Sequence, residues 1–273
     1  MLRQVVFLLS FAALGMLAPV LAFADTLSDI KAKGKLIAGV KADYTPYGYR
    51  DASGAIIGLE PDMAADVAKR LGLQLELVPV VASNRMQFLQ QGKIDLMIAT
   101  MAIDDERKKA VGIVEPPYYA SGVAILVNKK ANVKSAADLK GKAVCAIQGS
   151  FYNSRIQSEF TGQNLVAFKG VPENEQALLN GDCAGFVYDD VLLIYKKRTG
   201  AAKWADFDVV ELTEFQPQPW GVAVKLEDKN AAWGKFMSDT VADWLKAGTL
   251  LALEKKWLGD NTSWLKDATA KAK

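Results

Sequence analysis

The stretch that decides the fold is residues 93–121, KIDLMIATMAIDDERKKAVGIVEPPYYAS. It opens with a short apolar run at residues 94–99 that holds one carboxylate, a pattern typical of a strand covered on both faces in a parallel sheet. Three acids follow in what would be the first turn of a helix, with three cations behind them, as the helix dipole favours. Because ligands of open α/β sheets bind outside the carboxyl ends of the strands, we expect a small-molecule site at this point of the chain.

Strand and helix patterns alternate along the rest of the sequence. Apolar runs predict further strands at residues 35–40, 73–77, 142–147, 165–168 and 184–188. The order of strands and helices predicts an α/β fold with parallel-type sheets. Extended segments near residues 118–128 and 216–221 would carry the chain between two lobes. We therefore expect lobe 1 to comprise residues 25–120 and 220–273, and lobe 2 residues 121–219.

Both ends of the chain have sequence features that set them apart from the two lobes. Residues 1–24 have an early cation, an apolar core and an Ala22-Phe23-Ala24 ending, which together predict a cleaved secretory signal peptide. The alternative is a membrane anchor, but Pro19 interrupts the apolar run and no cysteine follows the cleavage site to accept a lipid. The lysine-rich tail after residue 265 is expected to be frayed.

Composition excludes several classes of function. Without residues 1–24 the chain keeps 32 basic and 31 acidic residues, so neither a nucleic acid nor a membrane surface is indicated as a partner. The sequence has no histidine and only two cysteines, which argues against a metal site and against the commonest general base. We expect no cofactor and no metal.

Two segments in this order, GKIDLMIATMAIDDERKKAV and EPPYYASGVAILV, resemble the polar amino-acid family of periplasmic solute-binding proteins, the receptors of ABC importers. The resemblance extends over nearly all of the chain after residue 25. It implies the two-lobe α/β fold of type II periplasmic binding proteins, with hinge strands between the lobes. It also implies a monomer in the periplasm that binds a free amino acid and delivers it to an ABC permease in the inner membrane.

A free amino acid presents a carboxylate and an ammonium group, so its receptor needs a fixed cation and a fixed anion. In the family the residue matching Arg107 holds the carboxylate, and the planar fork of an arginine suits that task. Asp189 matches the ammonium ligand, and Ser150, which would open a helix, is a second support for the carboxylate. The alternatives are a solvated helix face for Arg107, helix-start acids at Asp189 and Asp190, and a simple helix cap at Ser150. By its match to a strand end we favour Asp189, with Asp190 facing solvent.

Further positions follow from the resemblance. Thr100 would offer its hydroxyl beside the ammonium group, and Ala102 stands where relatives often have a hydroxyl. The loop at residues 41–49 lines the pocket in the family, and we expect Tyr44 and Phe151 to form apolar walls.

Ligand choice depends on two cations. Relatives that bind acidic amino acids have a lysine or arginine at the position of Lys41, and Arg85 matches a second residue that they use. We therefore expect glutamate or aspartate as ligand, and lysine, arginine and ornithine are excluded by repulsion from Lys41. If Lys41 instead pairs with Asp43 and points out, a neutral ligand such as glutamine is favoured.

Cys145 and Cys183 should lie in or beside neighbouring strands of lobe 2, and the compartment is oxidising, so we predict a disulfide between them. The main rival function is an enzyme on the same fold. Cyclohexadienyl dehydratases share it, and a carboxyl such as Glu60 or Asp189 could act there as a general acid. Because the Arg107 and Asp189 pair matches amino-acid recognition, we expect a binding protein and not an enzyme.

Overall fold

The structure is a computed structural model that describes residues 26–162 and 164–273, so the predicted signal peptide lies outside the described residues. The elements up to the first crossing are α1 (Thr26–Lys33), β1 (Lys35–Lys41), β2 (Asp43–Tyr44), β3 (Gly48–Arg50), β4 (Ile56–Ile57), α2 (Leu59–Leu71), β5 (Gln74–Val80), α3 (Arg85–Gln90), β6 (Leu96–Ile98), α4 (Asp105–Ala110), β7 (Gly112–Ile113) and β8 (Tyr119–Ser121).

The chain then continues into a second set of elements. These are β9 (Val123–Asn128), β10 (Val144–Ile147), α5 (Asn153–Arg155), β11 (Leu165–Phe168), α6 (Val171–Asn180), β12 (Gly185–Asp189), α7 (Asp190–Thr199), β13 (Phe207–Glu211), β14 (Gln218–Trp220), β15 (Ala223–Val224), α8 (Ala232–Lys246), α9 (Thr249–Leu258) and α10 (Ser263–Ala272). Short 3-10 turns cover Lys129–Ala131 and Ala136–Leu139, and α5 runs on as a π-helix over Ile156–Thr161.

Two five-stranded sheets form the centres of two lobes, which confirms the predicted two-lobe α/β fold. Their strand orders are β5-β1-β6-β15-β7 and β11-β10-β12-β9-β13. In each sheet four of the five strands run in the same direction, whereas β15 in one and β9 in the other run antiparallel to both of their neighbours. The sheets are therefore mixed, because the segments that enter lobe 2 and return to lobe 1 add strands of opposite direction. We keep the names lobe 1 for residues 26–120 and 220–273 and lobe 2 for residues 121–219.

The two crossings between the lobes lie side by side. β8 pairs antiparallel with β14, so that Tyr119 lies opposite Trp220 and Ser121 opposite Gln218. Both segments are extended, and backbone hydrogen bonds hold them to one another over only a few residues. Such a short ribbon is the kind of element about which two rigid lobes can rotate.

Helix burial follows the sequence pattern. On α2 the apolar residues Met63, Ala64 and Val67 are buried against the sheet of lobe 1, and Gly72 ends the helix in the left-handed conformation that glycine adopts without strain. Trp233 and Trp244 on α8 are fully buried in the core, as their helical spacing predicts.

The prediction of a frayed tail is wrong. Residues Ser263–Ala272 form α10. Thr262 caps the start of this helix, because its hydroxyl accepts a hydrogen bond from the Leu265 backbone N–H. Leu265 is fully buried, and Trp264 packs against the same core. The lysines that indicated fraying lie on the exposed side of an amphipathic helix, so the apolar stripe, and not the overall charge, decides the outcome.

The predicted disulfide is confirmed: Cys145 and Cys183 are bonded, with Cα atoms 5.7 Å apart. Cys145 is in β10, and Cys183 lies just before β12, its parallel neighbour. Within residues 26–162 and 164–273, no helix is both long and apolar enough to span a membrane.

Candidate functional site

The site lies where the carboxyl ends of strands from both lobes meet. β1 is parallel to β6 with Val40 opposite Ile98, so the residues that follow the two strands reach the same edge of the sheet. In lobe 2, β10 and β12 are also parallel and end at Ile147 and Asp189. A small cavity of about 10 Å³ lies between these edges. Its walls are Ala82, Arg85, Thr100, Ala102, Arg107, Ser150, Phe151, Tyr152, Tyr188, Asp189 and Trp220.

Arg107 is positioned by its own helix and by both lobes. Asp104 begins α4: its carboxylate accepts a hydrogen bond from the Arg107 backbone N–H at 2.8 Å and lies 3.2 Å from Nε of the guanidinium. Nη1 donates to the Ala102 carbonyl at 2.8 Å, and Nη2 donates to the Gly149 carbonyl of lobe 2 at 2.9 Å. Burial, together with the nearby Arg85, lowers the pKa of Arg107 to about 10, so the side chain is still a cation at neutral pH.

Gly149 brings the backbone of lobe 2 close to the backbone of lobe 1 at Ala82. Its φ is +83°, and a Cβ atom built on it would lie 2.9 Å from the backbone of Ala82. Glycine is therefore required both for the backbone conformation and for the close approach of the two lobes.

Asp189 ends β12 and is almost fully buried, with 6% of its surface exposed. Tyr44 of lobe 1 donates its hydroxyl hydrogen to the Asp189 carboxylate at 2.9 Å. Burial raises the pKa of Asp189 to about 7, although the bond from Tyr44 opposes this rise. An ammonium group brought close to Asp189 would lower the pKa of this carboxyl, and the carboxylate would in turn bind the ammonium group strongly.

Glu60, named from the sequence as a possible general acid, lies against the start of the Thr100 loop. Located in the first turn of α2, it is fully buried, and its Oε1 accepts hydrogen bonds from the Thr100 backbone N–H at 2.7 Å and the Tyr118 hydroxyl at 2.5 Å. Burial raises the pKa of Glu60 to about 7. Thr100 takes a left-handed conformation with a φ of 46°, which is strained for a β-branched residue. The Thr100 N–H, directed at Glu60 and also 3.1 Å from the Tyr118 hydroxyl oxygen, fixes the start of the loop that leads to Arg107.

The two cations predicted to choose the ligand have partners within the protein. Arg85 is buried, and its Nη1 donates to the carbonyls of Ala99 and Thr100. Lys41 is completely buried and forms an ion pair with Asp43, with Nζ and Oδ1 2.8 Å apart. Lys41 thus pairs with Asp43, but it does not point out to solvent.

Seven of the nine predicted binding residues line the cavity. Lys41 and Tyr44 are not among the lining residues, although Tyr44 contacts Asp189. Direct ligand contacts for all nine stay a prediction. The sequence did not identify Ala82, Tyr152 and Tyr188 as part of the wall. Tyr152 follows the predicted Phe151 in the sequence, and Tyr188 precedes the predicted Asp189. That adjacency was the one sequence signal that could have identified them.

The prediction that Asp190 faces solvent is wrong. Its Oδ1 accepts a hydrogen bond from the Ser121 hydroxyl at 2.7 Å and lies 2.6 Å from the Val191 backbone nitrogen. Ser121 belongs to the crossing strand β8. Asp190 therefore connects the start of α7 to the hinge, because the crossing passes directly over this end of the sheet.

Comparison with known proteins agrees with this arrangement. The profile of the bacterial extracellular solute-binding proteins, family 3, matches residues 36–260. The L-cystine-binding protein of Escherichia coli strain K12 is 31% identical over 242 residues, which are 87% of this chain and 88% of that protein. The glutamine-binding protein of an ABC transporter in Bacillus subtilis strain 168 is 30% identical over 248 residues, or 87% of this chain and 86% of that protein.

Two further similarities bear on ligand and activity. A glutamate/aspartate import solute-binding protein of Salmonella typhimurium strain LT2 is 26% identical over 244 residues, covering 85% of this chain and 79% of that protein. The crystal structure of an ancestral amino acid-binding protein, described as a precursor of cyclohexadienyl dehydratase, superposes with a TM-score of 0.75 at 31% identity and covers 85% of this chain and 99% of that one. With a profile match over most of its length and relatives of this similarity, the chain belongs to the bacterial extracellular solute-binding proteins of family 3.

Proposed function

We propose that the protein is a periplasmic receptor that binds a free amino acid between its lobes and presents it to an ABC permease. The observation that carries the proposal is the pair Arg107 and Asp189. A guanidinium from lobe 1 and a carboxylate from lobe 2, each more than nine-tenths buried, line one cavity. A buried cation and a buried anion facing one space are the complement of a zwitterion.

In the bound state Arg107 holds the α-carboxylate, supported by Ser150 and by backbone N–H groups of lobe 2. Asp189 holds the α-ammonium group, with Thr100 beside it. Because Arg107 and Asp189 belong to different lobes, the ligand stabilises the closed arrangement, in which the lobes meet. The permease then distinguishes closed from open receptor. No bond of the ligand is broken in this cycle.

For the side chain of the ligand we propose a polar group without net charge, as in glutamine or cystine. Arg85 already donates to two carbonyls, and Lys41 is neutralised by Asp43 outside the cavity lining. Nη1 of Arg85 is thus engaged twice, its Nε is buried without a hydrogen-bond partner among the described residues, and the charge of Lys41 is balanced by Asp43, so an additional carboxylate would meet little uncompensated positive charge. The cystine-binding and glutamine-binding relatives are 31% and 30% identical to this chain, against 26% for the glutamate/aspartate one, which agrees with this choice. The preference for glutamate or aspartate drawn from the sequence has the weaker support.

The test is a thermal-shift screen of the protein without residues 1–24 against the twenty amino acids and cystine, followed by calorimetry on the hits. We expect the largest shift with glutamine or cystine and none with lysine or arginine. A largest shift with glutamate would restore the acidic assignment. No shift with any compound would contradict the receptor function.

An enzyme is the second candidate, because Glu60 is a buried carboxyl with a pKa of about 7 and a general acid needs a proton at neutral pH. Glu60 is not among the cavity-lining residues, and Tyr118 and Thr100 already occupy its Oε1. Incubation with prephenate or arogenate should give no product absorbance. Product formation that is lost in Glu60→Gln would establish the enzyme instead.

A further inference from the structure

Lys41 and Asp43 form a charged pair that the cavity does not use. Lys41 is completely buried, and its Nζ lies 2.8 Å from Oδ1 of Asp43, whose side chain is 17% exposed. A buried ammonium group is unfavourable without a counter-charge, so Asp43 is required where it stands. Both residues belong to lobe 1, Lys41 at the end of β1 and Asp43 at the start of β2.

The other oxygen of Asp43 reaches lobe 2. Its Oδ2 accepts a hydrogen bond from the backbone N–H of Val171, the first residue of α6, at 3.3 Å. The residue before α6 is Gly170, which has no side chain to cap the helix, and Pro172 has no N–H to offer. Asp43 therefore supplies from the opposite lobe an acceptor for the first N–H of α6, in addition to the acidic Glu173 in the first turn of the helix.

Gly170 makes this approach possible. A Cβ atom at this position would lie 2.9 Å from Oδ2 of Asp43, closer than side-chain contacts normally allow. The φ of Gly170 is −140°, which any residue adopts, so glycine is needed here for space and not for conformation. Oε2 of Glu173 would lie at the same 2.9 Å from this Cβ atom, but Glu173 is exposed and belongs to lobe 2 itself, so it does not bridge the lobes.

We propose that Lys41 and Asp43 are a positioning pair that bridges the lobes: Lys41 fixes the carboxylate of Asp43, and Asp43 caps α6 when the lobes close. The proposal rests on the proposed function and adds to it. The pair stabilises the closed form whatever the side chain of the ligand, so it sets the affinity for every amino acid alike and does not select acidic ones.

The double variant Lys41→Met/Asp43→Ala removes the bridge without leaving a buried unpaired charge. We expect its dissociation rate constant to rise about tenfold for glutamine, cystine and any other bound amino acid, with little change in the association rate constant. Gly170→Ala keeps the ion pair but blocks the approach, and it should raise the dissociation rate constant for all ligands in the same direction. Glu173→Gln, at the same helix end, is the matched control and should leave both rate constants unchanged. Stopped-flow fluorescence measures these constants.

A second readout follows the bridge itself, in protein saturated with its amino acid so that the lobes are closed. Hydrogen exchange of the Val171 amide, followed by nuclear magnetic resonance, should be about tenfold faster in the double variant than in the natural protein and unchanged in Glu173→Gln. Weaker binding of acidic ligands alone, or equal protection of Val171 in both proteins, would overturn the bridge. If the natural protein binds no amino acid, the proposed function fails and the bridge with it; if it binds one and Val171 is equally protected in both proteins, only the bridge fails.

Discussion

At the residue scale, Arg107 is held by partners on three sides. Asp104, the Ala102 carbonyl and the Gly149 carbonyl together fix the plane of its guanidinium. Two of these bonds come from side chain and backbone of lobe 1, and the third comes from lobe 2. A side chain that is oriented before it meets its ligand loses little entropy on binding.

We predict that Arg107→Lys lowers the affinity for every bound amino acid by about 100-fold or more, because one ammonium group cannot replace a fork that donates in several fixed directions. Isothermal titration calorimetry measures the effect. Lys108→Ala, the next residue on α4 and exposed, is the control and should bind normally. Retained affinity in Arg107→Lys would contradict the role of the guanidinium.

Asp189 gives a prediction about pH. Its pKa is about 7 in the folded protein against 3.8 for an unperturbed side chain, mainly because of burial. The folded state therefore binds the proton more tightly than the unfolded state, and stability falls as pH rises from about 4 to about 7. In Asp189→Asn this loss is absent. The stability of the variant relative to the natural protein should rise by up to about 4 kcal/mol over that range.

Urea denaturation at pH 4, 5.5, 7 and 8 without ligand checks this difference. Glu60 titrates in both proteins, so the comparison isolates Asp189. A constant difference across the four pH values would show that burial does not raise the pKa of Asp189.

At the scale of single elements, α10 shows how few residues decide whether a helix docks. Its charged side chains face solvent, and the buried Leu265 and Thr269 attach it to the rest of lobe 1. Near its start, Glu254 of α9 accepts hydrogen bonds from the Thr262 backbone N–H and from the Asn261 amide. The same carboxylate accepts from Tyr119 in the hinge strand β8, so the end of the chain is connected to the crossing.

We predict that Leu265→Ala lowers the free energy of unfolding by about 2–5 kcal/mol, the usual result of truncating a fully buried leucine. Lys266→Ala, at the exposed neighbouring position, should change it by less than about 0.5 kcal/mol. Urea denaturation monitored by circular dichroism gives both values. Equal stability of Leu265→Ala and the natural protein would mean that α10 does not dock.

At the scale of the whole molecule, the hinge and the site are adjacent. Asp189 lies at the cavity, and Asp190, the next residue, is bonded to Ser121 in the crossing. A movement of the crossing therefore acts directly on the residue proposed to hold the ammonium group. A Cβ atom at Gly122 would lie 2.5 Å from Oδ2 of Asp190, so this point of the hinge has no free space.

We predict that Gly122→Ala weakens ligand binding about tenfold, because the added methyl group displaces Asp190 and with it the start of α7. The fold should persist, since the contact lies at the crossing and not in either core. Calorimetry gives the affinity, and urea denaturation is the control for folding. Unchanged affinity would show that the hinge tolerates a side chain here and that the crossing and the ligand site are independent.

Much of this protein is determined by local sequence. The alternation of apolar strands with amphipathic helices defines the two lobes, and the spacing of Cys145 and Cys183 on neighbouring strands predicts the disulfide. The position of Arg107 directly after a buried strand places it at a ligand edge. These features follow from the spacing of apolar residues and from the positions of strand ends, and both depend on residues close together in the chain.

Only the tertiary structure decides which charges meet. Asp43 contacts Val171, a residue 128 positions away, and Tyr44 contacts Asp189, 145 positions away. Glu60 contacts Thr100 and Tyr118, which lie far from it in the sequence, so no local pattern predicts these contacts. Lys41 pairs with Asp43 within lobe 1, but the second oxygen of Asp43 finds its partner, the Val171 N–H, only where the two lobes come together. The sequence specifies the charged groups, but the packing of one lobe on the other chooses their partners, because burial makes every unpaired charge unfavourable.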